Sequence, residues 1–120
     1  MFNLAQQEVY ARYKHPENAG TLKDAQITVS GANPVCGDEL TLTATTDPNG
    51  VITALKHTSR ACAICTAAAD ILPEQVIGKT LNEIKRITPQ EITERLGIPL
   101  SPIRLKCALL PLETLKQAQI

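Results

Sequence analysis

The residues with the widest choice of chemistry in this 120-residue chain are its four cysteines, Cys36, Cys62, Cys65 and Cys107. Thiolates ligate Zn²⁺ and iron–sulfur clusters, and an exposed thiolate can also accept and pass on sulfur. Asp38 follows closely in Asn33-Pro34-Val35-Cys36-Gly37-Asp38 and offers a harder oxygen donor. Cys36, Cys62 and Cys107 all fall where loops should meet regular elements. If those junctions converge at one end of a sheet, three thiolates and a carboxylate form a tetrahedral set around one metal. Their wide spacing is no metal motif by itself. Cys62-Ala63-Ile64-Cys65 adds a C-x-x-C, open to reading as a redox pair or as half of a zinc site. A plainer alternative is cysteine as a small buried hydrophobe. That alternative is strongest for Cys65, which Ala67, Ala68 and Ala69 follow. Helix starts at Cys62 and Cys107 would meet the positive end of a helix dipole, and Arg60, Arg104 and Lys106 add charge nearby. Both effects favour thiolate. His15 and His57 read as satisfied or exposed histidines rather than ligands.

The elements that must position these residues follow from periodicity. Residues 3 to 14 read as a helix, with Ala5, Val9 and Tyr13 on one face. His15-Pro16 stops it, since the residue before proline is driven out of the helical region. Alternation at Ile27/Val29, Leu40/Leu42 and the run Val51, Ile52 and Leu55 predicts three antiparallel strands, at 25–32, 38–46 and 51–58. Asp47-Pro48-Asn49-Gly50 is the turn between the last two. After Cys62 the stripe Ile64, Ala68, Ile71, Leu72 and Val76 is helical, with Pro73 set to kink or break it and Gly78 ending it. Thr80-Leu81-Asn82-Glu83 and Thr88-Pro89-Gln90-Glu91 are capping boxes for two short helices, the second closed by Gly97. Ile98 to Arg104 holds Pro99 and Pro102 and is expected to be extended. A last helix runs to about Ala118, opened by Pro111 or kinked there if it starts at Cys107. Strands followed by helices give an α+β fold: a three-stranded antiparallel sheet packed with an N-terminal helix and several C-terminal helices. One domain is expected over 1–120.

Composition excludes other classes. Twelve basic and twelve acidic residues cancel, and Phe2, Tyr10 and Tyr13 are the aromatics, with no tryptophan. Neither a basic footprint nor stacking platforms for nucleic acid are present. Met1 to Tyr13 lacks the basic start and apolar run of a signal peptide, and no window reaches the length of a membrane span. A cytoplasmic protein with no membrane or nucleic-acid partner is expected, its cysteines thiols or metal ligands rather than disulfides.

Four stretches, in order, resemble the IscU/NifU family of iron–sulfur cluster assembly scaffolds. Tyr13-Lys14-His15-Pro16-Glu17-Asn18-Ala19-Gly20 is similar to its Tyr-x-Asn-Pro-x-Asn-x-Gly, and Cys36-Gly37-Asp38 to its Cys-Gly-Asp. Arg60-Ala61-Cys62-Ala63-Ile64 and Pro102-Ile103-Arg104-Leu105-Lys106-Cys107 fall where the second and third cysteines belong, with Gly78-Lys79-Thr80-Leu81 between. The resemblance spans roughly residues 10 to 120.

It implies the IscU/NifU N-terminal fold and a transient 2Fe–2S cluster held by Cys36, Cys62 and Cys107, with Asp38 at the site. It further implies Zn²⁺ there in the apo form, the cysteines as sulfur acceptors from a cysteine desulfurase, and recipient apo iron–sulfur proteins as partners. Four departures stand out. Lys106 occupies the place of the histidine that precedes the third cysteine in the IscU branch and resembles the SufU branch, whose insertion this chain lacks. Ser59 and Ala61 replace glycines before Cys62, stiffening that loop. The chaperone-binding Leu-Pro-Pro-Val-Lys becomes Leu100-Ser101-Pro102-Ile103-Arg104, which weakens the case for an Hsp70-type chaperone. Cys65 stands where a small or hydroxylic residue is usual, and is a possible extra metal ligand. The expected function is therefore assembly and transfer of an iron–sulfur cluster. The alternatives are a zinc-dependent sulfurtransferase of SufU type or a structural zinc protein.

Overall fold

A computed structural model describes residues 3–119; Met1, Phe2 and Ile120, at the ends of the expected domain, lie outside the described residues. The chain runs α1 (Leu4–Lys14), β1 (Ile27–Asn33), β2 (Asp38–Thr46), β3 (Ile52–Arg60), α2 (Ala63–Val76), α3 (Leu81–Ile84), α4 (Pro89–Leu96) and α5 (Pro102–Lys116). The strands form one antiparallel sheet in the order β1-β2-β3. Its register sets Asn33 opposite Asp38 and Glu39 opposite Arg60. Leu40, Leu42 and Ala44 of β2 lie beside Ile27, Val29 and Gly31 of β1 and Leu55, His57 and Ser59 of β3. This is the period-two alternation read from the sequence, and it gives the sheet one apolar face. Helices α2 and α5 pack on the sheet and on each other, and α1 packs on α2. The core is Leu, Ile, Val and Ala, as the shortage of aromatics requires.

The expected α+β architecture and its three strands are present, within one or two residues at each end. Both capping boxes form, with Thr80 and Thr88 accepting from Glu83 and Glu91 N–H groups, and Gly97 closes α4 at φ +71°. Helix α2 continues through Pro73 without breaking.

The stretch from Ile98 to Arg104 departs from expectation. It is not extended throughout, because α5 begins at Pro102. Ser101 caps it, its Oγ accepting from Arg104 N–H at 3.3 Å. Pro102 takes the first helical position, where a missing N–H costs nothing and a fixed φ helps. The prolines that suggested an extended segment thus mark a helix start. Pro111 neither opens nor ends α5 but sits within it, so the Cys107 carbonyl lacks its usual i+4 donor. Tyr13, placed on the packed face of α1 by its spacing from Val9, is 41% exposed, while Val9 is buried. The face of α1 toward α2 is charged as well as apolar. Arg12 pairs with Asp70, Glu74 and Glu8, and Arg95 of α4 pairs with Glu8.

Candidate metal centre

The hairpin between β1 and β2 delivers the first two donors. The Asn33 carbonyl accepts from the Cys36 N–H at 3.2 Å and the Gly37 N–H at 2.8 Å. Pro34 fits the second position of such a turn, and Gly37 closes it at φ +73°. A side chain would be strained at that φ although nothing lies within 4 Å of the missing Cβ. The turn presents Cys36 half-buried. It also starts β2 at Asp38, which is buried on the core face.

Asp38 links hairpin to helix. Its Oδ1 accepts from the Cys62 N–H at 2.9 Å. Its Oδ2 is buried and has no hydrogen-bond partner among the described residues. A buried carboxylate oxygen left unpaired costs free energy unless something else takes it up. Cys62 is the N-cap of α2, as expected of a cysteine at a helix start, and its sulfur accepts from the Cys65 N–H at 3.5 Å.

Cys107 arrives from α5 and lies in its second turn rather than at its start. The expected push from the helix dipole therefore does not act on it, since that effect is confined to the first turn. Burial instead raises the Cys107 thiol pKa, helped by the neighbouring Asp38, Cys36 and Cys62. This corrects the expectation of a ready thiolate at Cys107. Arg60, Arg104 and Lys106, named as nearby positive charges, are exposed at the surface.

The Cys107 S–H donates to the Cys36 sulfur at 3.5 Å. One atom each from Cys36, Asp38 and Cys107 lies within 4.8 Å of the other two. Two soft sulfurs and one hard oxygen, with an orphaned buried carboxylate oxygen, suit Zn²⁺ or an iron–sulfur cargo. Cys62 adjoins this trio through its N–H, which donates to Asp38 Oδ1. It is not one of the three donors within 4.8 Å. Cys65 is fully buried, and desolvation, then the charges of Asp38, Cys62 and Cys36, push its thiol pKa up.

The two histidines lie outside the trio. His15 caps the end of α1. His57 is buried, with Nε2 3.0 Å from Asp70 Oδ1 and Nδ1 2.8 Å from Ser59 Oγ. Sequence reasoning passed over Asp70. Its carboxylate accepts from Arg12 and from the Glu17 and Asn18 N–H groups, and the Asn18 side chain donates to its carbonyl. The Tyr13–Gly20 motif is thus an anchor on α2. The signal was available: residues 67–69 and 71–73 flanking Asp70 in α2 are all apolar, so a charged residue among them is expected to be buried with a partner.

The family model described as "NifU-like N terminal domain" matches residues 4–120. The Haemophilus influenzae protein named iron-sulfur cluster assembly scaffold protein IscU is 32% identical over 115 residues, covering 93% of this chain and 90% of the relative. Its Aquifex aeolicus namesake is 34% identical over 113 residues, covering 93% and 71%. Among solved structures, a candidate iron–sulfur cluster assembly scaffold for the SUF system from Fervidobacterium islandicum superposes with a TM-score of 0.75. It shares 28% identity and is covered, like this chain, over 93% of its length. The match runs through the hairpin, the α2 start and α5 that supply the donors, and the chain belongs to the NifU-like N-terminal domain family.

Proposed function

We propose that this chain is a one-domain cytoplasmic scaffold, on which an iron–sulfur cluster is assembled and from which it is handed to recipient apo-proteins. The observation that carries this reading is the convergence of Cys36, Asp38 and Cys107 within 4.8 Å. Cys62 completes the set by turning its sulfur away from the Cys65 N–H toward the trio. Zn²⁺ fits the same donors in the apo protein and would hold the thiolates in place there. A 2Fe–2S cluster is the cargo, and Cys36, Cys62 and Cys107 accept its sulfur from a cysteine desulfurase. Val35 and Ile103 support docking at this end, as exposed apolar side chains close in sequence to Cys36 and Cys107. The relatives named as scaffolds support the same function.

A second reading is favoured by Lys106 and by the likeness to a candidate SUF-system protein. In it, the site keeps Zn²⁺ and passes sulfur without building a cluster. Anaerobic reconstitution with ferrous iron, L-cysteine and a cysteine desulfurase separates the two. The scaffold reading expects visible absorption from a cluster that Cys36→Ser and Cys107→Ser each abolish. Sulfur uptake with retained Zn²⁺ and no such absorption would establish the sulfurtransferase instead.

A further inference from the structure

Cys62 and Cys65 are arranged differently from the three-atom donor group. Cys62 caps α2 and is half-buried; Cys65 lies in the first turn and is fully buried. The Cys65 N–H donates to the Cys62 sulfur at 3.5 Å, so that sulfur already lies over the turn that carries Cys65. A rise of about 1.5 Å per residue on a radius of about 2.3 Å sets Cα atoms three apart at about 5 Å, within the Cα span of about 4.4–6.8 Å that a disulfide requires. An accessible thiol at a helix N-terminus followed one turn later by a shielded thiol is the layout of C-x-x-C pairs that cycle between dithiol and disulfide. Cys36 and Cys107 also face each other, at 3.5 Å. Those two, however, belong with Asp38 to the donor group. A Cys62–Cys65 disulfide leaves those three donors free and engages Cys62 only until the pair is reduced.

We propose that Cys62 and Cys65 form a reductive pair that converts sulfane sulfur delivered to Cys62 into sulfide. This rests on the reading of Cys62 as a sulfur acceptor. With Cys62 carrying a persulfide, the Cys65 sulfur attacks the inner sulfur of that persulfide. The Cys62–Cys65 bond forms as the persulfide S–S bond breaks. The outer sulfur leaves with the bonding pair and takes up the Cys65 proton. Taken from sulfane sulfur and two thiols, the products are one disulfide and one hydrogen sulfide. The thiols lose two electrons and the sulfane sulfur gains two. Cluster sulfide has that oxidation state, so Cys62 and Cys65 together supply the electrons at the place of assembly. A small dithiol or a thiol–disulfide oxidoreductase then restores the pair.

The test uses the full chain, with Cys65→Ala and Cys65→Ser beside it. Alanine matches the small apolar residues that follow at 67–69 and guards against a variant that fails to fold. Each reduced protein receives one equivalent of inorganic polysulfide without other reductant. Mass spectrometry maps persulfide and disulfide to each cysteine over time. The expected result is a Cys62–Cys65 disulfide in the unaltered chain and a Cys62 persulfide living at least about tenfold longer in both variants, since they lose an intramolecular attacker. Equal persulfide lifetimes on Cys62 in all three chains overturn the pair and leave Cys62 as an acceptor. A disulfide from Cys62 to Cys36 or Cys107 also overturns it. Absence of both persulfide and disulfide at Cys62 in every chain removes the acceptor reading and the pair together.

Discussion

Asp38 joins two jobs in one side chain. One oxygen fixes the Cys62 N–H at the start of α2, and the other is buried without a hydrogen-bond partner among the described residues, in the group with Cys36 and Cys107. A carboxylate is a harder ligand than thiolate and a poorer match for soft metal centres. On the proposed scaffold reading it is the donor expected to let cargo go. Asp38→Ala is expected to keep the fold and to slow cluster transfer to an acceptor by about tenfold, equivalent to about 1.4 kcal/mol. Circular dichroism of the acceptor during transfer reads this directly, and unchanged kinetics would deny Asp38 that part. That Cys36, Asp38 and Cys107 could meet was legible in the sequence as loop ends able to converge at one end of a sheet; Cys62, expected with them, does not join them within 4.8 Å. The state of the Cys107 thiol was not legible. It depends on burial and on which groups share its proton, and sequence spacing encodes neither.

Among the elements, α5 places Cys107, and its seat on β1 is unusually close. A Cβ built on Gly31 would stand 2.0 Å from Thr114 Oγ1 and 3.1 Å from the Thr114 Cβ. Gly31 is thus where the helix approaches the strand, a role glycine fills in strands. The Thr114 hydroxyl is itself buried and unpaired among the described residues. Gly31→Ala is expected to cost about 1–3 kcal/mol, the usual range for overpacking. It should also lower Zn²⁺ affinity, because Thr114 and Cys107 ride on one rigid helix. Adding Thr114→Ala removes Oγ1, the atom at 2.0 Å, and leaves only the Cβ at 3.1 Å, so the double variant should recover most of the loss. Urea titrations of the four proteins of this cycle test it, and additive effects would show that the contact does not set the helix position. The start of α5 was misread because Pro99 and Pro102 look like extended-chain residues. Ser101 followed by proline at the first helical position carries the opposite signal, a helix N-terminus.

Across the whole molecule, α2 is the shared beam. Its N-terminus carries Cys62 and Cys65, and Asp70 lies eight residues on, about 12 Å along the axis at 1.5 Å per residue. At Asp70 it gathers α1 through Arg12, the 17–18 segment through two backbone N–H groups, and β3 through His57. Burial opposes ionisation of Asp70, but the bonds from His57, Asn18 and Glu17 outweigh it and hold its carboxyl below the usual range. The sign of the pH effect follows. A carboxyl whose folded pKa lies below its unfolded one contributes stability that is complete above the unfolded pKa. That stability is lost as pH falls through the folded pKa. Asp70→Asn removes the charge at every pH and leaves Arg12 with Glu8 and Glu74. Unfolding by urea near neutral pH should therefore show a loss of about 3 kcal/mol, the scale for breaking a buried ion pair. The gap between the two proteins should narrow steadily below about pH 4, where Asp70 begins to protonate in the unfolded chain while the folded one still holds it ionised. Glu8, held near a pKa of about 2 by Arg95, is present in both proteins, so both keep some acid sensitivity. Only the difference between them isolates Asp70. Because the donor group lies at the far end of α2, Zn²⁺ stoichiometry should be unchanged in Asp70→Asn under folding conditions. A gap that stays constant from neutral to about pH 2 would show that the Asp70 charge does not tie α1 and the sheet to the helix that carries the site.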